Sequence, residues 1–132
     1  MAIPNDLAQI AAVRESLERF AAEHSVPREP LVQLQVALDE ILSNVIKYAW
    51  PEGGTHELLV RMSARSGVIH VEVVDDGQAF DPLAAAQPAP VLPGRKRQPG
   101  GLGLHMSRQL VDSLMYERAD SRNRLLLTKR YA

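Results

Sequence analysis

The stretch Val36–Trp50, VALDEILSNVIKYAW, decides how the chain reads. Leu38, Ile41, Leu42 and Val45 recur at three- and four-residue spacing, and Leu31 and Leu34 carry the same stripe upstream, which predicts an amphipathic helix running to about Tyr48. On such a helix Glu40 and Asn44 project from one side about one turn apart, a carboxylate beside a carboxamide. A proton acceptor and an oxygen ligand for a metal can share that side. Lys47 lies on nearly the same face and reads equally as a phosphate contact or a solvated lysine.

Upstream, Pro27 and Pro30 interrupt the helical pattern. Before them Leu7, Ile10, Val13, Leu17 and Phe20 predict a first helix, capped by Asn5 or Asp6 and ending near Glu23. Downstream, Pro51, Gly53 and Gly54 mark a turn, and residues 56–64 and 68–75 read as two strands of a hairpin joined at Ser66 and Gly67. The second strand alternates Ile69, Val71 and Val73 with His70 and Glu72, so one face is buried and the other partly polar.

From Gln78 to Gly101 the composition shifts to proline, alanine and the basic run Arg95, Lys96, Arg97. A loop of that length inside a compact domain is a lid, a binding loop or a disordered segment. Leu104, Leu110, Val111 and Leu114 then suit a third helix, and residues 114–119 and 124–131 suit two strands joined by Ser121, Arg122 and Asn123. The order predicts an α+β fold, a two-layer α/β sandwich with helices on one face of a mixed, mainly antiparallel sheet.

At 132 residues, 1–132 is expected to be a single domain with one core, largely aliphatic because aromatics make up only 5%. A formal net charge of −1 offers no field for nucleic acid or an anionic membrane. The absence of cysteine excludes disulfides, thiolate metal sites and cysteine nucleophiles. No apolar run is long enough to span a bilayer and the N-terminus lacks the features of a signal peptide, so a cytoplasmic location is the expectation. No Gly-x-Ser-x-Gly elbow is present to suggest a serine hydrolase, and His24, His56 and His70 lack zinc-ligand spacing.

Two further stretches carry chemistry. Val74, Asp75, Asp76 and Gly77 end a strand, where the simple reading is an Asp-Gly turn. Gly100, Gly101 and Gly103, in GGLGLH, lead into a helix, where exposed N–H groups and the helix dipole suit phosphate. This run is neither a Walker A loop, since no Gly-Lys-Ser/Thr follows, nor a dinucleotide fingerprint.

Taken together, Glu40 with Asn44, DDGQAFDP and GGLGLH resemble the ATP-binding domain of gyrase, heat-shock chaperone, histidine kinase and mismatch-repair ATPases. The closer resemblance is to the anti-sigma factor serine/threonine kinase family, which implies the histidine-kinase-like ATPase fold with ATP and Mg²⁺ as cofactors. It implies Glu40 as general base, Asn44 as Mg²⁺ ligand and Asp75 with Gly77 at the adenine, with Asp76 as the register alternative. The superfamily's second glycine is replaced by Ala79, while Phe80, Asp81 and Pro82 match the anti-sigma branch as loop-shaping residues. It further implies phosphate binding by the backbone at Gly101, Leu102, Gly103 and Leu104, with His105 as a phosphate neighbour or a helix-start packing residue, and an ATP lid at 82–100 whose Arg95, Lys96 and Arg97 close over the γ-phosphate or are equally a mobile basic surface.

The resemblance implies a kinase that phosphorylates an anti-sigma factor antagonist on serine or threonine and sequesters a sigma factor by partner switching, with a possible homodimer. The alternatives are an ATP-binding interaction module without catalysis, and a detached histidine-kinase-type catalytic domain.

Overall fold

A computed structural model describes residues 1–81 and 107–132, and the expectations for the 82–100 lid fall outside them. The described strands are β1 (Ala2–Pro4), β2 (Glu57–Arg65), β3 (Val68–Asp75), β4 (Ser113–Ala119) and β5 (Arg122–Arg130), and the long helices are α1 (Ile10–Glu23) and α2 (Arg28–Tyr48). The strands form one sheet in the order β1-β2-β3-β5-β4. Every pairing among them is antiparallel, in line with the mixed, mainly antiparallel sheet expected.

The alternation read from the sequence sets the two sheet faces. Leu58 and Val60 of β2, Ile69, Val71 and Val73 of β3, and Leu125 and Leu127 of β5 turn to one side and are buried. Helix α2 lays Leu31, Leu34, Leu38, Ile41, Leu42 and Val45 on that side, and α1 adds Val13, Leu17 and Ala21 to the same core. The two helices are also tied by the Arg14–Asp39 ion pair and by Glu18, which accepts from Arg28 and Gln35. The opposite sheet face carries charge, with Glu72 paired to Arg124 at 2.8 Å and to Arg61 at 3.5 Å.

Several boundaries differ from the sequence reading for local reasons. Asp6 caps, through Ala8 N–H at 3.0 Å, a short 3-10 turn at Leu7–Gln9 that precedes α1. The strand Ala2–Pro4 was not expected, being three residues long and ending in proline, yet Ile3 is one of the most buried side chains. Of the third helix, residues 107–110 are helical, while Val111 is buried in a bend and Leu114 is buried on β4. The β4–β5 turn is Asp120–Ser121, both at positive φ, so Arg122 and Asn123 belong to the strand rather than to the connection. Consecutive positive φ values match the twist of a tight hairpin, and Ser66 and Gly67 repeat the pattern between β2 and β3.

Leu38 and Leu42 are almost wholly enclosed between α1 and the sheet. Truncating a buried leucine costs its transfer free energy and leaves a cavity, so Leu38→Ala is expected to lower stability by about 2–5 kcal/mol in urea unfolding, with the antiparallel-sheet circular dichroism retained.

Candidate functional site

Two of the residues singled out by sequence meet directly on α2. Asn44 is 4% exposed, and its Nδ2 donates both to the Glu40 carbonyl at 2.7 Å and to Glu40 Oε1 at 2.9 Å. Two acceptors on one nitrogen fix which way the amide points. The amide oxygen is thereby turned away from Glu40, and an amide oxygen is a suitable ligand for a hard, oxygen-preferring cation such as Mg²⁺. Glu40 itself is half-buried, on the edge between Asn44 and a groove of about 620 Å³ whose lining includes Leu7, Ile10, Val36 and Ser43. A carboxylate in that position can accept a proton from a hydroxyl lying in the groove. Lys47, one turn below, is exposed.

The second centre lies where β3 ends. Asp75 is 4% exposed, and its Oδ1 accepts from Gly77 N–H at 2.8 Å and from Asn123 Nδ2 at 3.0 Å. Both donors fall on one oxygen, and among the described residues no donor reaches Oδ2. Burial pushes the Asp75 carboxyl above its ordinary range, opposed by the Asn123 and Gly77 hydrogen bonds and helped by the nearby Asp76 charge. Asp76, the register alternative, accepts instead from the Trp50 indole at 3.1 Å.

A seam joins the two centres. A Cβ on Gly77 would run into the carbonyl oxygen of Ala49 and lie 2.5 Å from its Cβ, so only glycine fits against the end of α2. Gln78 closes the seam with its backbone N–H on Ala49 O and its side-chain amide on Tyr48 O, each at 2.7 Å. From Asn44 to Ala49 is about 7.5 Å of helix rise, so the seam holds the carboxamide of α2 near the end of β3.

Sequence reasoning missed Asn123, which it placed in a connecting turn. The residue is 2% exposed and sits opposite Asp75 in the β3–β5 register. Besides Asp75 it donates to Gln78 O at 2.7 Å and accepts from the Tyr116 hydroxyl at 2.6 Å and from Phe80 N–H at 3.4 Å. Arg118 donates to Gly77 O at 2.7 Å, so β4 also braces the turn. The signal available in sequence was an asparagine two positions before an alternating apolar strand, which also describes an ordinary turn. Of the predicted site residues, Glu40, Asn44, Lys47, Asp75 and Gly77 are described; Arg97, Gly101, Leu102, Gly103, Leu104 and His105 lie outside the described residues.

An antiparallel sheet covered on one face by two helices, with a carboxamide on the inner helix and a buried aspartate at a strand end, defines a class of fold rather than one enzyme. Residues 3–129 match the model of the histidine kinase-like ATPase domain family, and the chain belongs to that family. It is 34% identical over 101 residues to the serine/threonine-protein kinase BtrW of Bordetella bronchiseptica, covering 75% of this chain and 70% of that protein. With the serine-protein kinase RsbW of Bacillus subtilis it shares 25% identity over 118 residues, covering 86% of this chain and 74% of the relative. Among solved structures, the RsbU and RsbW domains of a Mycobacterium tuberculosis protein superpose with a TM-score of 0.62 at 18% identity, over 98% of this chain and 32% of that one. A blue-light activated histidine kinase of Erythrobacter litoralis EL346 superposes with a TM-score of 0.58 at 23% identity, over 80% of this chain and 32% of that one. These structural likenesses show the fold.

The raised Asp75 carboxyl has a signed consequence for stability. The unfolded chain releases this proton near the ordinary value of 3.8 and the folded chain releases it later, so stability falls as pH rises through that interval. Asp75→Asn keeps an oxygen for Gly77 N–H and Asn123 while removing the buried charge. At pH 7 the variant is expected to unfold at the wild-type temperature or above it, and the difference is expected to vanish below pH 3.8, as read by thermal scans across pH.

Proposed function

We propose that the chain is an ATP-dependent protein serine/threonine kinase of the bacterial cytoplasm that phosphorylates an anti-sigma factor antagonist and, in its other state, holds a sigma factor by partner switching. The observation that carries this reading is the Glu40–Asn44 pair: one helix turn supplies a proton acceptor at an open groove and, beside it, an amide oxygen turned to a different side. The names of the relatives, serine/threonine-protein kinase and serine-protein kinase, favour transfer to a hydroxyl over transfer to histidine.

In this reading the adenine amino group donates to Asp75 Oδ2, and Gly77 leaves room for the base against the strand end. Backbone N–H groups at Gly101, Leu102, Gly103 and Leu104, with His105, Lys47 and Arg97 around them, meet the phosphates. Asn44 Oδ1 would hold Mg²⁺, which when bound neutralises charge on the phosphate oxygens. The acceptor segment enters the groove beside Val36 and Leu7, and Glu40 accepts the proton of its serine or threonine hydroxyl as that oxygen bonds to the γ-phosphorus. The bond from the γ-phosphorus to the β,γ-bridging oxygen breaks, and ADP leaves.

The decisive experiment incubates the protein with labelled ATP, Mg²⁺ and candidate antagonist proteins. Glu40→Gln keeps the Asn44 contact but removes the base, so transfer is expected to fall by about 100-fold or more while ATP affinity stays within about twofold. Asn44→Ala is expected to lose Mg²⁺-dependent ATP binding itself. Unchanged transfer in Glu40→Gln would remove Glu40 from the mechanism, and acid-labile label on the acceptor would point to a histidine target instead.

A further inference from the structure

We propose that Asn123 is the positioning residue of the base pocket: backed by Tyr116, it holds the Asp75 carboxylate and the Gly77–Phe80 turn in the arrangement that receives adenine. The proposal rests on the ATP-binding reading above and extends it to a residue outside the expected motifs.

The carboxamide of Asn123 is fully engaged by protein groups. Its two N–H donors go to Asp75 Oδ1 and Gln78 O, and its oxygen accepts from the Tyr116 hydroxyl and Phe80 N–H. An amide has two donors and two lone pairs, so nothing remains for a ligand. Asn123 therefore acts through other groups. What it fixes is specific: one oxygen of Asp75, and the backbone on both sides of Ala79.

No other side chain of this size performs both tasks. Aspartate lacks the donors at neutral pH, and leucine leaves Gln78 O and the Tyr116 hydroxyl facing an apolar group. The geometry also selects which Asp75 oxygen is offered. With Gly77 N–H and Asn123 both on Oδ1, a base amino group finds Oδ2 as acceptor. Without Asn123 the carboxylate is free to turn about its final torsion, and both oxygens compete for Gly77 N–H.

The charge environment supports this assignment. Asp75 faces the like charge of Asp76 from its own chain end and Arg118 from β4, Tyr116 stands behind Asn123 with Asp81 nearby, and the end of α2 brings to the turn the carbonyls of Tyr48 and Ala49, the Ala49 methyl and the Tyr48 ring, none of them charged at neutral pH. Burial pushes this carboxyl upward, and the Asn123 hydrogen bond is the largest influence opposing that push. Held by Asn123 and Gly77 on Oδ1, the carboxyl has Oδ2 left to accept from a base amino group.

The test uses the full chain and two readouts. In nucleotide-free protein, the Asp75 carboxyl is titrated by carbon NMR in wild type, Asn123→Leu and Tyr116→Phe. The midpoint is expected to rise in Asn123→Leu and to rise less in Tyr116→Phe. In parallel, ATP affinity is expected to weaken about 10- to 100-fold in Asn123→Leu. Asn123→Asp keeps the side chain's size and covers the case in which leucine prevents folding. There the two facing carboxylates can share one proton, so ATP affinity is expected nearest the wild-type level at acid pH and to fall, relative to wild type, as pH rises and that proton is lost.

An Asp75 midpoint unmoved in Asn123→Leu, or, where leucine does not fold, an Asn123→Asp affinity that does not vary with pH relative to wild type, overturns the positioning role. A moved midpoint with unchanged ATP affinity overturns its connection to the base. Failure of wild type to bind ATP, with the midpoint moved, sinks the ATP reading and leaves the Asn123–Asp75 coupling standing.

Discussion

Between the end of α2 and the end of β3 there is no room for a side chain. Gly77 lies against the backbone of Ala49, and Gln78 hydrogen-bonds across the contact from both its backbone and its side chain. This steric constraint is what the remaining geometry depends on. It fixes the depth at which α2 lies on the sheet, and therefore where Glu40 and Asn44 stand relative to Asp75. A helix buried by leucines alone could slide or rotate by part of a turn at modest cost, because aliphatic packing is tolerant of small displacement. Hydrogen bonds that end the helix on a particular residue are not.

The polar groups beneath the seam follow from its burial. A carboxylate 4% exposed needs partners, and the chain supplies them from its own turn and from the neighbouring strand. Asn123 then needs partners for its oxygen, which brings in Tyr116 of β4 and Phe80. The network therefore reaches across three adjacent strands from a single buried charge. Its members are satisfied on one side of Asp75, and among the described residues no donor reaches the other oxygen.

The elements with long, regular patterns were legible in the sequence. The leucine stripe of α2 gave its position and its buried face, and the β-branched alternation of β3 gave the hairpin and the inward direction of Ile69, Val71 and Val73. The adjacency of Glu40 and Asn44 followed from helix periodicity alone. What periodicity does not carry is a contact between residues far apart in the chain. Asn123 is opposite Asp75 only because β5 inserts beside β3, a fact of sheet order, and in sequence it sits among Ser121 and Arg122 like any turn residue. The strand at Ala2–Pro4 was hidden for a different reason, since three residues are too few to show alternation. The turn at Asp120–Ser121 was hidden because neither residue is glycine, although both take positive φ.

The proposed function makes one requirement, that a nucleotide binds between Asn44 and Asp75 through its metal and its base. Calorimetric titration of the intact chain with ATP tests this most directly, run with Mg²⁺, with Mg²⁺ removed by chelation, and with GTP in place of ATP. The account predicts one binding site per chain for ATP with Mg²⁺, a marked loss of affinity without the metal, and little or no binding of GTP, whose carbonyl oxygen would face the Asp75 carboxylate. Absence of heat with ATP and Mg²⁺, or equal binding of both nucleotides, would contradict it.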